Sequence, residues 1–572
     1  MVEVIVGIDF GSWGTGYAYS FNSPQNIDLG KFPGQTTQIK VPTEIILDST
    51  LEKIISFGTE CCKHKLKNDE LYFKRIKMSI YYNLNKIKPE NNSTNYDLVT
   101  IISKVFEFIK KEAIKSIHFN RSNITEEQIK WIVTVPSIWN LAQKSIMIQA
   151  CEKAGLFNKN TDRGNFLSLE AEAASIYCLN DNSIDKNYLK PGKTYIVCDL
   201  GGGTGDLVTH HRINENKIIE KYRSIGGPYG SEEIDREFFG EVFQKLFGFE
   251  TFNSLKEKFN KLKLPENSWN ENNLYNAWSE LQEKVGKIKL ITNNLKDESF
   301  TINCQIFEDF VDGAKLEDLV AKFNKSCREG WKVLNIGRFW QLDFPYKIIF
   351  DLIENHANKI SDQISEILKN TSDVESILYV GGYCSNEILL NILKSKFPKL
   401  IHMKPSCPER AVVKGAVLFG IDPFIINMRK AMYTIGFNCD DNWDEKIHGG
   451  IGEKYYDPIY HIYKCKNSFH AFIRKGQDLS QNDNDYVEQS FITMNSRVII
   501  LKFFKSDKVN PVLWTEEGVE SIGNVQLDLG KDFPENERSF ILRLKFGGTY
   551  AVASCSHCNS VNQINFPLYF NQ

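Results

Sequence analysis

One short pattern occurs twice and constrains this chain more than anything else in it. An apolar, β-branched run ends in an Asp, an apolar residue and glycine-rich backbone. The first copy is IDFGSWGTGYA at Ile8–Ala18, and the second, about 190 residues later, is CDLGGGTGDLV at Cys198–Val208. A second strand-like run follows each copy at once, so each reads as a β-hairpin with a glycine turn. Glycine lets backbone N–H groups approach an anion closely, and Ser and Thr add hydroxyl donors. An Asp beside a polyphosphate is repelled unless a cation lies between them. Its presence in both turns therefore implies a divalent ion, Mg²⁺, held partly through water. One such turn alone is no more than a hairpin; two copies are specific. A third strand ends in Gly381-Gly382 within SILYVGGYCSNEILLNILKSKF, and Ser385 or Asn386 caps the helix that follows. That turn suits packing against an adenosine, with its backbone toward phosphates.

Helix-length patterns lie between these units, at Ile101–Ser116, Leu141–Ala154 and Trp278–Thr292. Strands alternating with helices predict an α/β architecture. The texture changes near Lys430. From there short runs such as AFIRKG, RVIILKFF, SFILRLKF and TYAVASC alternate with Gly, Asn and Asp, an antiparallel β pattern. The expected division is an α/β domain over 1–428 and a β-rich domain over 429–572.

The balance of charge narrows the function classes. Among 572 residues, Lys and Arg number 69 and Asp and Glu 72, a net charge of −3 that gives no electrostatic case for nucleic acid or a membrane surface. Hydrophobic residues at 42% and charged residues at 25% exclude disorder as the main state. No run approaches the ~18 apolar residues of a membrane span. The start, MVEVIVGIDFG, lacks the basic and apolar regions of a signal peptide. Thirteen scattered cysteines do not form a disulfide framework, so a cytoplasmic protein is expected.

The order of the three glycine units resembles the phosphate-1, phosphate-2 and adenosine motifs of the actin, 70-kDa heat-shock protein and sugar-kinase superfamily. Within it the chain is most similar to the 70-kDa heat-shock family. The resemblance rests on IVTVPSIWNLAQKSIMIQACEKAGL (Ile132–Leu156), LSLEAEAASIYCL (Leu167–Leu179), SIGGPYGSEEID (Ser224–Asp235) and ERAVVKGAVLFG (Glu409–Gly420). GYAYSF, VPSIW, EAASIYC and GGPYGS resemble the divergent branch that includes heat-shock 70-kDa proteins 12A and 12B. The resemblance spans about residues 4–425 and weakens through the β-rich tail.

It implies an actin-like, two-lobed ATPase domain of duplicated ribonuclease-H-like halves, followed by a β-rich, sandwich-like domain. ATP or ADP with Mg²⁺ would be the ligand, and slow ATP hydrolysis the activity. Nucleotide state would gate protein clients or signalling partners; the alternative is a nucleotide-binding adaptor with negligible turnover. Carried over residue by residue, Asp9 and Asp199 fall at metal-facing positions and Asp206 at the second phosphate-2 carboxylate. Gly11, Ser12, Trp13, Gly201, Gly202, Gly203 and Thr204 fall in the phosphate turns. Gly227 falls in the Gly-Gly region, Gly381 and Gly382 at the nucleoside turn, and Glu170 beside the attacking water. Glu283 and Lys287, four apart on a helix, resemble an adenosine-gripping pair. The expected catalytic lysine is Lys77 or Lys74, with Lys77 preferred.

Two departures stand out. Trp13 replaces a small hydroxyl residue, and Ala171 replaces a proline of the interdomain switch. The tail shows neither a helical lid nor an acidic terminus. Weaker candidates are Cys555-Ser-His-Cys558, the pair Cys61-Cys62, His210-His211, expected on a strand surface, and Lys256–Lys263, expected as a solvated helix face.

Overall fold

The structure, a computed structural model, describes residues 2–33, 39–82, 84–156, 167–261, 280–289, 298–311, 315–458, 461–480, 486–492, 498–528, 539–545, 552–557 and 563–567. It is a mixed α/β molecule built on several sheets.

Both glycine hairpins form as their sequences predict, and each seeds a sheet. In the first, β1 (Val4–Phe10) pairs antiparallel with β2 (Gly14–Ser20), which pairs antiparallel with β3 (Asp28–Leu29). On the other side β1 runs parallel to β4 (Ile129–Val135), and β4 to β5 (Leu167–Leu169). The second sheet starts from β6 (Thr194–Leu200), antiparallel to β7 (Gly205–Asn214), itself antiparallel to β8 (Lys217–Gly227). Here β6 runs parallel to β9 (Val374–Val380), and β9 to β10 (Ile401–Met403). The two sheets thus repeat one order, β5-β4-β1-β2-β3 and β10-β9-β6-β7-β8, with the same strand directions. The central strands are buried on both faces, which is why they read as continuous apolar runs.

Five helices position the site: α1 (Ile76–Tyr81), α2 (Leu141–Lys153), α3 (Glu170–Asn180), α4 (Ser231–Phe238) and α5 (Ala411–Ile421). Asn140 caps α2 reciprocally with Gln143. The helices α3 and α5 cross between the two sheets, α3 packing Ala171 and Ala174 with Val197 and Leu378, and Ile176 with Ile5 and Val413. Their crossing is backbone-tight: a Cβ at Gly415 would lie 1.7 Å from the Ala173 carbonyl oxygen.

The β-rich region forms a five-stranded sheet in the order Glu453–Asp457, Ile462–Ile473, Thr434–Asn442, Val498–Ser506, Val519–Asp528. A four-stranded sheet runs Val487–Ile492, Ser539–Lys545, Val552–His557, Gln563–Pro567. Its join to the α/β part is a strand rather than a loose linker. Strand β11 (Ile426–Lys430) runs parallel to β8 and antiparallel to Asp478–Ser480, so the second sheet continues into the tail. The expected boundary at 428/429 falls inside β11. Leu141 and Ala142 of α2 pack into the β-rich core with Ile435, Phe472 and Phe503.

Charges are buried at this join. Arg429 of β11 grips Glu172 of α3 through two bonds, Nε to Oε1 at 2.6 Å and Nη2 to Oε2 at 2.7 Å. The Glu220 carboxylate accepts from the Lys430 N–H and the Ser224 hydroxyl, both at 2.7 Å. Burial nevertheless pushes Glu220 up from 4.5 to about 7. Between those values the folded state holds a proton that the unfolded chain has released. Stability from this group is therefore present below about pH 4.5 and lost as pH rises through about 7. Glu220→Gln is expected to flatten the fall in unfolding midpoint over that window; an unchanged slope would assign it to other groups.

Candidate functional site

The two hairpin turns meet face to face between the two sheets. A Cβ on Gly202 would lie 2.8 Å from Trp13 Cβ, and one on Gly203 would lie 2.5 Å from Ser12 Oγ and 2.4 Å from Met78 Sδ. A side chain at either position would force the opposing turn or Met78 to shift. The carbonyls of Gly201, Gly202 and Gly203 accept from the N–H groups of Ser231, Glu232 and Gly230 at the start of α4. The N–H groups of Gly202 and Gly203 donate to no described residue, as an anion-binding turn requires. On the first turn Gly11 carbonyl accepts from Thr43 Oγ1 at 2.6 Å, while the Trp13 side chain is 55% exposed.

Carboxylates converge behind the turns. Asp199 and Asp206 are direct register partners across the second hairpin, and both are buried. Like charges in that relation repel unless a cation compensates. Lys40 pairs with Asp9, and Lys77 with Glu170 Oε1 at 2.5 Å. Burial outweighs these partners. It pushes Glu170 up to about 7 and Asp206 up to about 6, the latter against hydrogen bonds from Ile138 N–H and Thr204. Asp199 is raised most plainly, by burial and by the charges of Glu170, Asp206 and Asp9. Lys40 is held above its usual range: burial lowers it, but Asp9, Asp199 and Glu170 together win. Four carboxyl groups therefore share two ammonium groups in an oxygen-rich, desolvated cluster.

The third glycine turn closes against the same cluster. Gly381 adopts φ +87°, and a Cβ there would lie 2.6 Å from Asp199 Oδ1 and 2.4 Å from the Leu200 carbonyl oxygen. Gly382 faces open space. Asn386, not Ser385, caps the next helix (Glu387–Lys396), and its Nδ2 donates to the Lys289 carbonyl at 2.7 Å. Lys289 Nζ donates to the Ser231 carbonyl at 2.9 Å and pairs with Asp235 at 2.5 Å. Lys289 thus ties the helical segment 280–288 to α4 and to the helix that follows the Gly381-Gly382 turn. Gly227 is the register partner of Gly205, one step from the Asp206 pair.

The structure thus brings together Asp9, Asp199, Asp206, Glu170, Lys77 and the glycine turns of both hairpins. It places Lys74 elsewhere, 3.4 Å from Glu44 and over the Tyr72 ring. Glu283 and Lys287 pair with each other on an exposed face. Lys40 and Lys289 were not singled out by sequence. Lys40 lies about 30 residues from its partner and arrives beside it because Val41–Pro42 pairs with Gly14 and Thr15 of β2.

The weaker candidates resolve separately. His210 is fully buried rather than on a strand surface, because β7 is flanked by β6 and β8 and covered by α3. Its Nδ1 lies 3.0 Å from Ser175 Oγ, and burial lowers it to about 4. Cys61 is buried and Cys62 exposed, both free thiols. Lys256–Lys261 continues a helix (Phe249–Lys261), while residues 262–263 and Cys558 lie outside the described residues. Cys555 falls in the strand Val552–His557. In the tail, Cys439, Asp441 and His470 place one ligand atom each within 4.8 Å of one another, and Asp441 accepts from both neighbours.

No protein-family model matches the chain. It is similar to heat shock 70 kDa protein 12A of Mus musculus and of Homo sapiens, each 26% identical over 608 aligned residues, covering 92% of this chain and 85% of the relative. It is also similar to heat shock 70 kDa protein 12B of Homo sapiens, 23% identical over 636 residues, covering 96% and 88%. These are distant homologies, and with the mixed α/β architecture they point to the actin-like ATPase and 70-kDa heat-shock superfamily. No helix of the described residues is long and apolar enough to cross a membrane.

Proposed function

We propose that this chain binds ATP and Mg²⁺ between two ribonuclease-H-like halves and hydrolyses ATP slowly, as a chaperone-like protein of the divergent 12A/12B type. The observation that carries this reading is the convergence of both Asp-glycine hairpins on one buried carboxylate cluster. The cluster suits a hard divalent ion: its donors are all oxygen, desolvated, and in excess over the lysines that neutralise them. Asp9 and Asp199 would hold the ion, with Asp206 shaping its water shell. Bound Mg²⁺ supplies neutralisation of phosphate charge.

The chain's own groups account for the rest. The free N–H groups of Gly202 and Gly203 receive phosphate oxygens without an opposing Cβ. Lys77 presents a buried ammonium to the transferring phosphoryl group. Glu170, held by Lys77, orients the attacking water and accepts its proton, a role its carboxyl raised to about 7 favours near neutrality. Gly381 and Gly382 receive the nucleoside, and Lys289 fixes their distance from α4. The β-rich region would bind clients or signalling partners, its state linked to the cleft through β11.

Lys77→Met is expected to lower ATP turnover by about 100-fold or more, whereas Lys74→Met should change it less than about 3-fold. Steady-state phosphate release with Mg²⁺ checks both, and equal losses would remove Lys77 from the mechanism. The second reading, an adaptor that binds nucleotide with negligible turnover, is favoured by one observation. Trp13 occupies the phosphate-1 turn with its Cβ against Gly202, where a hydroxyl donor is expected. Trp13→Thr raising turnover at unchanged ATP affinity would favour it.

A further inference from the structure

A cavity of about 90 Å³ lies where the α/β part meets the β-rich region, its Ser137, Trp139 and Leu169 wall adjoining the carboxylate cluster and its remaining lining reaching into the β-rich sheet. Leu141 and Leu169 wall it from the α/β part, and Ile435 and Ile473 from the β-rich sheet. Charged side chains also line it, and all but one are matched. Arg429 is bound to Glu172, Glu220 is saturated by Lys430 N–H and Ser224, Lys430 pairs with Asp478, and Lys505 pairs with Glu520. The exception is Lys144 of α2. Its residue is 9% exposed, and among the described residues its ammonium makes no hydrogen bond or ion pair.

Glu172, Glu220 and Asp206 act on this ammonium from a distance but none bonds it, and a desolvated ammonium without a hydrogen-bond partner is unfavourable. Burial, and then the neighbouring Arg429 guanidinium, lowers Lys144 from 10.5 to about 8. Ser137, Asn140 and Ser224 add polar groups to its wall, the rest of the lining is mainly apolar, and of the charged groups there Lys144 alone makes no bond among the described residues. Glu220 on its wall and Glu172 beside it would repel a second negative charge on any occupant.

We propose that this cavity is a binding site for a small monocarboxylate with a short apolar body, its carboxylate on the Lys144 ammonium and its body against Leu141, Leu169 and Ile435. The volume admits an acid of a handful of non-hydrogen atoms. A doubly charged phosphate does not suit it, because one cation is free and two carboxylates stand nearby. Since both parts of the molecule wall the cavity, an occupant braces their junction. The site is independent of the nucleotide reading.

The test is thermal unfolding of the full chain in sodium acetate, butyrate or hexanoate, against chloride and phosphate at matched ionic strength, with calorimetric titration of butyrate. Saturable stabilisation is expected on the order of 1 mM, larger for butyrate than for acetate and absent with chloride and phosphate. Lys144→Met should abolish the carboxylate response. It should also raise the midpoint in plain buffer, because it removes the unmatched charge while keeping the side chain's length. An equal response in wild type and Lys144→Met, or no saturable response in wild type, would overturn the proposal. A response to phosphate equal to that for butyrate would replace the monocarboxylate with a general anion and overturn it as stated.

Discussion

Asp199→Asn is expected to lower Mg²⁺-dependent ATP turnover by about 100-fold or more while making the nucleotide-free protein more stable. The two effects have one cause. Asp199 faces Asp206 directly across the hairpin, buried, with Glu170 and Asp9 also bearing on it. In the empty cleft that crowding is unfavourable, and a neutral amide relieves roughly 0.5–1 kcal/mol of like-charge repulsion. With Mg²⁺ the same crowding would favour binding of the ion, and the amide would forfeit that gain. Phosphate release and unfolding midpoints on one preparation check both. Lost turnover with lost stability would mean that Asp199 is a structural group. Gained stability with unaltered turnover would mean that the cluster does not serve hydrolysis.

Gly415→Val is expected to be the most damaging single substitution outside the cleft. The new Cβ alone would meet the Ala173 carbonyl oxygen at 1.7 Å, and that atom belongs to helix backbone that cannot rotate aside. The helices α3 and α5 would have to separate, opening apolar contacts with β1 and β6 on either side. Overpacking in a yielding core costs about 1–3 kcal/mol, and this site does not yield, so a loss above about 3 kcal/mol is expected. Denaturant unfolding measures it. Since α3 begins with Glu170, residual folded protein should also bind nucleotide weakly. A loss below about 1 kcal/mol would show that the helices slide apart freely, against the tight crossing.

The sequence carries the hairpins in full because their chemistry is local. An Asp, a glycine turn and a return strand occupy a dozen neighbouring residues, and the repeat strand order follows from the two copies. Groups that reach the cleft over long distances are silent in it. Lys40 is brought to Asp9 by a two-residue strand that no periodicity announces. The choice between Lys74 and Lys77 turns on Arg75, whose left-handed backbone (φ 52°) starts α1 and sends Lys77 inward. The four-residue spacing of Glu283 and Lys287 establishes a shared helix face but not its direction. The face is exposed, and Lys289, two residues beyond, makes the inward contacts. His210 reads as a surface residue only while its strand is taken alone. The change of texture near Lys430 reads as antiparallel strands, but alternation cannot show that β11 continues the second sheet into them. The buried charges at that join follow from the pairing.

The measurement that bears most directly on the account is calorimetric titration of the intact protein with ATP, with and without Mg²⁺. The account predicts saturable binding that Mg²⁺ strengthens by at least about 10-fold, because four buried carboxyl groups otherwise oppose the phosphates. Binding indifferent to Mg²⁺, or no binding at millimolar ATP, would contradict it and leave the hairpins as a structural duplication without a ligand.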